Sequence, residues 1–335
     1  MSQPAKVFVA GATGFIGTKL VAELARRGHS VRALTRKTSN QEGLAGENVS
    51  LVEGDILDVE SLRKGMEGCQ QAYHLAAYAR NWARDPQTFF QLNVAGLRNV
   101  CAAAKEVKIE RMVYTSTIVT LGPTPPGVTG DENLPRTTPR FFTEYEESKS
   151  VAEQEALKFA QDGLPIVIVN PTRVYGPGKL TEGNSVTTMI DLYRRGRLPL
   201  ILSRGINVAN YVLVDDLVRG HILAMEKGRP GQRYIIGGEN VSLKQFFDML
   251  SELIGRKRRQ FNLPAGVARL YSLLEKKKGD WFGFYPVVTP GWIDTFLHDW
   301  VYTSAKAEKE LGYRMTSLRE GLRLTYDWLL TQDRT

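Results

Sequence analysis

The segment Lys6-Val7-Phe8-Val9-Ala10 runs without a break into Gly11-Ala12-Thr13-Gly14-Phe15-Ile16-Gly17, and this junction constrains the fold more than any other feature of the chain. An apolar run of that length reads as a buried parallel strand. Ile16, Leu20, Val21, Leu24 and Ala25 then recur at helical spacing until Gly28, and Ser30-Val31-Arg32-Ala33-Leu34-Thr35 reads as a second strand. The product is a βαβ unit whose first turn is almost bare backbone. Such a turn lets helix N–H groups, with their partial positive charge, face the space a pyrophosphate would fill. Gly11, Thr13, Gly14, Phe15, Ile16 and Gly17 are therefore candidate dinucleotide-binding residues. Any sharp turn tolerates glycine, so the rest of the chain has to decide.

Further apolar runs, rich in β-branched residues, occur at Val49 to Val52, Ala72 to Leu75, Arg111 to Thr115 and Ile166 to Val169, with helical stretches between them. This alternation predicts an α/β fold, a doubly wound parallel (Rossmann) sheet. In such a sheet ligands gather beyond the C-terminal strand ends, where the glycine turn, His74-Leu75-Ala76-Ala77, Thr115-Ser116-Thr117 and Asn170-Pro171 would emerge. After Pro171 the texture changes to Gly/Pro-rich loops, including Gly176-Pro177-Gly178, then basic helices. Tyr211 to Asp216 and Tyr234 to Gly238 read as brief returns to the main sheet. The expected division is a dinucleotide-binding domain over 1–173 and about 208–237, with a smaller, discontinuous C-terminal substrate lobe over about 174–207 and 238–330.

With 335 residues, 42% hydrophobic and 24% charged, the chain has the composition of an ordinary soluble protein. It contains no apolar run long enough to span a bilayer and no leader pattern at its N-terminus, so a cytoplasmic location is expected. Cys69 and Cys101 make neither a disulfide framework nor metal-ligand spacing, and no metal site is expected. The formal charge of +8 draws on Arg256-Lys257-Arg258-Arg259 and Lys276-Lys277-Lys278. Both clusters read as helix-end cations without interleaved aromatic residues, which argues against nucleic acid as a partner.

Two positions bear on the dinucleotide. Where a carboxylate would bind a ribose diol at the end of the second strand, this chain has Arg36 followed by Lys37. A guanidinium suits a 2′-phosphate, so NADP(H) is favoured, with NAD as the alternative if Arg36 is only a solvated strand-end charge. Gly54-Asp55-Ile56 closes the third strand; Asp55 is expected near the dinucleotide, with Asp58 capping the next helix.

Tyr145 and Lys149 stand four apart, so on a helix both can face one cleft. A free tyrosine has a pKa of about 10, and a nearby ammonium would lower it. Reducing a carbonyl leaves an alkoxide that needs a proton, which Tyr145 would give, while Thr117 would align the carbonyl. The pair Glu146-Glu147 is expected to point to solvent.

Taken in order, Gly11 to Gly17, Asp55, His74 to Ala77, Asn93-Val94-Ala95-Gly96, Thr115-Ser116-Thr117, Tyr145 with Lys149, and Pro171 to Pro177 resemble the extended short-chain dehydrogenase/reductases, from the start of the chain to about residue 220. Val31 to Arg36 and Ala79 to Pro86 are similar to the dihydroflavonol 4-reductase and 3β-hydroxysteroid dehydrogenase branch, including hopanoid-associated "sugar epimerase" homologues. The resemblance implies a catalytic set of Thr117, Tyr145, Lys149 and Asn93. It implies adenine binding by Asp55 and further cofactor contacts from Ile56, Leu75, Ala76, Ala77, Thr115, Ser116, Pro171, Arg173 and Val174. A homodimer is expected by the same analogy.

Arg36 favours net interconversion of a ketone and a secondary alcohol, because an exchanging reductase draws on free NADPH. A nucleotide-sugar epimerase with tightly held NAD, or a non-catalytic NADP-binding sensor, are the alternatives. Tyr78, Trp82 and Tyr175 are candidate substrate residues. Trp281, Phe282, Phe284, Tyr285 and Trp292, with Tyr78, Trp82 and Phe142, could build an aromatic pocket for a ring-bearing or lipid-like small molecule, or serve as lobe core. Ala265 to Leu274 is amphipathic enough to lie on a membrane, although packing against the sheet is the expected role.

Overall fold

The computed structural model describes residues 3–333. Six strands, β1 (Lys6–Ala10), β2 (Ser30–Thr35), β3 (Val49–Glu53), β4 (Gln71–His74), β5 (Arg111–Thr115) and β6 (Ile166–Pro171), form the body of a parallel sheet. The chain then adds β7 (Arg173–Tyr175), β8 (Leu200–Leu202), β9 (Val208–Leu213), β10 (Arg233–Ile236), β11 (Glu239–Ser242) and β12 (Phe261–Leu263). β10 pairs with β6 and completes a seven-stranded sheet of order β10-β6-β5-β4-β1-β2-β3. Both faces carry helices, so Val7 to Ala10 in β1 and Ile166 to Val169 in β6 are wholly buried, which is why these strands read as continuous apolar runs. Each such Val, Leu or Ile contributes about 1.5–3 kcal/mol on burial.

β1 has β2 on one side and β4 on the other, so the chain reverses direction across the sheet there and opens a crevice beyond their C-terminal ends. The helix Phe15–Arg26 starts at that crevice with Gly14 as its N-cap and no side chain capping it. Its first N–H groups are left for a ligand.

The second sheet, β11-β9-β7, lies apart from the first. The expected return of the segment around Tyr211 to the main sheet is therefore corrected: β9 pairs with β7 and β11, and only β10 rejoins the large sheet. Alternating strand propensity does not specify a partner, and β7, which starts two residues after β6 ends, provides the parallel partner of β9. Tyr175, Tyr211, Phe246 and Trp300 lie in the core of this lobe.

Two helices near the crevice begin at side-chain caps. Asp58 caps the helix Val59–Met66, its carboxylate accepting from the Glu60 and Ser61 N–H groups. Thr143 caps the helix Glu144–Gln161 by accepting from Glu146 N–H, and Glu144, Glu146 and Glu147 in its first turn suit the positive end of the dipole.

Candidate functional site

The crevice at β1 and β4 is shaped by missing side chains. Gly11 has φ +87°, and a Cβ there would fall 2.4 Å from Ala76 N; a Cβ on Gly17 would fall 2.1 Å from the Gly11 carbonyl oxygen. The backbones of the glycine turn and of Leu75-Ala76 thus touch, which no larger residue allows. Phe15 is buried, and a Cβ on Gly178 would meet its ring at 2.8 Å. The bare turn, the uncapped helix start and the crevice fit a dinucleotide pyrophosphate. Thr13 is half-buried, and Gly14 is exposed at the helix start.

At the far end of this edge, Arg36 and Lys37 are both exposed just past β2. Lys37 is drawn to Glu53 at 3.3 Å, whereas the Arg36 side chain has no partner among the described residues. Asp55 accepts the Leu57 N–H with one carboxylate oxygen at 2.9 Å. Ile56 packs on Gly96, where a Cβ would clash with it at 2.7 Å.

A cleft of about 300 Å³ continues from Ile16, Leu75 and Ala77 to Thr117, Tyr145 and Lys149, and ends against Trp292, Phe296 and Trp300 of the lobe. Thr115, Ser116, Pro171, Arg173 and Val174 also line it. Tyr145 and Lys149 project from adjacent turns of the helix Glu144–Gln161. The Tyr145 phenol is pushed up to about 12 by burial, opposed only by a hydrogen bond with Thr117. The lowering by Lys149 expected from the spacing is not what this arrangement produces. Lys149 Nζ donates instead to Tyr114 Oη at 2.7 Å and to the Thr115 carbonyl at 2.9 Å. Its own pKa is lowered to about 7, because burial of the ammonium outweighs the favourable field of Glu153.

Beneath these groups lies a polar network that the motifs do not announce. Glu153, two helix turns beyond Tyr145, is buried and accepts from Ser116 Oγ, from Thr120 Oγ1 at 2.9 Å and from Asn170 Nδ2 at 2.8 Å. Arg233 approaches its other oxygen at 3.1 Å. Asn170 also donates to the Thr117 carbonyl at 3.1 Å, which ties the network to the candidate hydroxyl. The Tyr145/Lys149/Glu153 spacing of four and eight was the available signal. Thr115 Oγ1 turns away from the cleft to His221 Nε2, 2.7 Å off, so Thr115 serves the cleft through its backbone. Asn93 sits in a π-helical turn, Gln91–Ala95, donating to Ser148 Oγ at 2.9 Å and accepting from Tyr78 N–H at 2.7 Å. It braces the helix that carries Tyr145.

Several expected placements are corrected. Glu146 does not point to solvent: it is buried, pairs with Arg136 at 2.5 Å and accepts Phe142 N–H at 2.7 Å, while Glu147 is exposed. Burial raises the Glu146 carboxyl pKa, with Arg136 opposing. None of Tyr78, Trp82 or Tyr175 contributes to the cleft wall. Tyr78 packs edge-on to Phe89 at 4.9 Å, and Trp82 donates its indole N–H to Asp280 at 3.1 Å. Tyr175 is buried so tightly that a Cβ on Gly321 would lie 2.0 Å from its hydroxyl. Phe142 stacks on His298 at 4.6 Å, whereas Trp281, Phe282 and Phe284 are exposed, neither pocket nor core. Arg173 has its guanidinium 4.0 Å above the Phe296 ring, near the Thr295 carbonyl, and burial disfavours its charge. Its neighbours are lobe residues, so it faces the cleft from the substrate side.

Cys69 and Cys101 are buried free thiols, and burial raises both pKa values. Among the described residues no helix is long and apolar enough to cross a membrane, and no group of His, Cys, Asp and Glu is disposed to hold a metal ion.

A glycine turn at a topological switch point, facing a Tyr/Lys helix across one cleft, defines a dinucleotide-dependent enzyme on a Rossmann fold. The model of the NAD dependent epimerase/dehydratase family matches residues 7–237. A "Putative dihydroflavonol 4-reductase" of Synechocystis sp. is 34% identical over 96% of this chain and 93% of its own length. "Sterol demethylase protein B" of Methylococcus capsulatus is 31% identical over 96% and 97%. The crystal structure of gox2253 superposes with a TM-score of 0.83 at 34% identity, covering 99% of both chains. The chain belongs to the NAD dependent epimerase/dehydratase family, within the extended short-chain dehydrogenase/reductases. It is an NAD(P)-dependent oxidoreductase acting on CH–OH groups.

Proposed function

We propose that this enzyme uses NADP(H) to interconvert a ketone and a secondary alcohol on a bulky, ring-bearing or lipid-like substrate. The observation that carries the reading is the Tyr145 phenol beside Thr117 at the meeting point of the glycine-turn crevice and an apolar lobe wall. When bound, the dinucleotide supplies or takes up the hydride. Thr117 Oγ donates to the substrate carbonyl oxygen and aligns it. Tyr145, protonated throughout the neutral range, gives its proton to the alkoxide, and the Thr117 hydroxyl beside it, whose hydrogen bond opposes the rise in its pKa, steadies the phenolate left behind. Trp292, Phe296 and Trp300 exclude water and suit an apolar ring system.

Arg36 supports the choice of NADP(H). It is an uncommitted guanidinium at the end of β2, where a ribose-binding carboxylate would otherwise stand. Two relatives point to ring-bearing substrates by name, a sterol demethylase protein and a putative dihydroflavonol reductase. A cytoplasmic homodimer is part of the same proposal, by family analogy.

The test is turnover of NADPH with a panel of steroid-like and flavonoid-like ketones, using wild type and Tyr145→Phe. The expected result is ketone-dependent oxidation of NADPH that falls at least a hundredfold in the variant, with NADPH affinity retained. A variant turning over at near the wild-type rate would overturn the assignment of Tyr145.

A further inference from the structure

The helix Ala265–Phe282 is packed inside out. Its buried residues are Ala268, Ser272 and Gly279, a small-residue stripe on one side. At Gly279 a Cβ would fall 2.9 Å from both the Phe284 carbonyl oxygen and Pro286 Cγ, so this stripe is in close contact with the segment just beyond the helix. The large apolar residues take the other sides: Val267, Leu270, Leu274 and Phe282 are exposed, and Trp281 is 73% exposed. Phe284 and Val287, the latter 79% exposed, follow the helix in sequence, and Phe261 of β12, shortly before it, and its register partner Leu200 of β8 are exposed as well. Scattered exposed apolar residues need no explanation, but a contiguous face of this kind marks an interaction surface.

Charge narrows the occupant. Arg256 and Arg259 precede β12, exposed and without ion-pair partners among the described residues, and Lys277 lies 6.0 Å from the centre of the Trp281 ring. A second copy docking the same face by two-fold symmetry would bring cations against cations. An anionic bilayer would not: its phosphates match the basic rim while its acyl boundary takes the apolar side chains, with Trp and Tyr at headgroup depth.

We propose that the Ala265–Phe282 helix, with Phe284 and Val287, docks the enzyme in the plane of an anionic membrane surface without spanning it. The site lies beside the cleft. Tyr285 meets Trp82 edge-on at 5.8 Å, donates to Glu182 and accepts Asn81 N–H at 3.2 Å, and Glu182 and Asn81 both line the cleft. The next helix, Pro290–Leu297, carries Trp292 and Phe296 into its wall. Docking therefore sets elements of the cleft wall close to the bilayer. The docking itself stands independently of which ketone is reduced.

The experiment is co-sedimentation with vesicles of phosphatidylcholine alone and of phosphatidylcholine with 30 mol% phosphatidylglycerol (about one lipid in three charged, enough for a polybasic signal). Wild type is compared with Leu270→Glu/Leu274→Glu. Both changes fall on exposed positions outside the cleft, and unchanged NADPH binding reports that the variant is folded. Wild type should bind the anionic vesicles at least tenfold more tightly than the neutral ones, weaken with salt, and lose at least tenfold in the variant, with a blue shift of tryptophan emission on binding. No vesicle binding at low salt, binding unaffected by the double substitution, or a concentration-dependent dimer that the substitutions abolish would each overturn the proposal; the last would assign this face to a second copy.

Discussion

Lys149 Nζ donates a 2.7 Å hydrogen bond to the hydroxyl of Tyr114, and the Tyr114 ring stacks at 5.7 Å on His74. All three groups are buried, and Lys149 lines the cleft. His74 is held neutral, pushed down to about 3 by burial and by the Lys149 charge, and neither of its ring nitrogens has a hydrogen-bond partner in the structure. The cation beside Tyr145 is thus embedded in a site that disfavours charge, and its protonation is coupled to the fold.

The coupling has a definite sign. Lys149 is lowered to about 7 in the folded protein from an ordinary 10.5. Between those values the unfolded chain binds more protons than the folded one, so stability rises with pH across that window. The penalty for burying the charge is therefore complete below about pH 7 and gone above about 10.5. Lys149→Met should be more stable relative to wild type at pH 6 than at pH 10, read as the difference in Tm at each pH. An identical difference at both would mean that Lys149 does not titrate with folding.

Gly17→Ala tests the glycine turn. The new Cβ would meet backbone, 2.1 Å from the Gly11 oxygen and 2.9 Å from Ala12 Cα, and cannot rotate away. Overpacking of this kind costs about 1–3 kcal/mol, and the opened turn should lose at least tenfold in dinucleotide affinity. Gly14→Ala, whose Cβ would lie 3.3 Å from the same oxygen, should be milder in both denaturation and titration. Equal effects of the two substitutions would contradict the close-approach argument.

Glu153→Gln tests the hidden network. A glutamine amide cannot accept from Ser116, Thr120 and Asn170 through one oxygen while keeping an ionic partner for Arg233. Breaking a buried pair costs about 3–5 kcal/mol, so a loss near the lower end is expected by chemical denaturation. Because Asn170 also holds the Thr117 carbonyl, kcat should fall more than KM rises. A variant with wild-type stability would show that the network is dispensable.

The sheet was legible because strands buried on both faces must be apolar throughout, as Val7 to Ala10 and Ile166 to Val169 are. The glycine turn was legible because close backbone approach admits no other residue at positions 11 and 17. Partner choice was not: β9 has the same texture as β10, yet the two strands join different sheets. Glu146 and Glu153 were hidden because a carboxylate's burial depends on its cation, Arg136 in the loop before the helix for Glu146 and Arg233, far along the chain, for Glu153, and neither pairing is marked by a helical spacing. The orientation of the Ala265–Phe282 helix was hidden for a different reason. Periodicity tells which residues share a face, and only the tight fit at Gly279 tells that the small residues turn inward.

An exchanging NADP(H)-dependent reductase is tested most directly by fluorescence titration of purified protein with NADPH and NADH. Wild type and Arg36→Asp are compared after denaturation and mass analysis for any retained dinucleotide. The expected result is protein free of dinucleotide that binds NADPH at least tenfold more tightly than NADH, a preference that Arg36→Asp removes by weakening NADPH alone. Protein that retains NAD through purification, or equal losses for both nucleotides in Arg36→Asp, would contradict it and favour an epimerase with a resident cofactor.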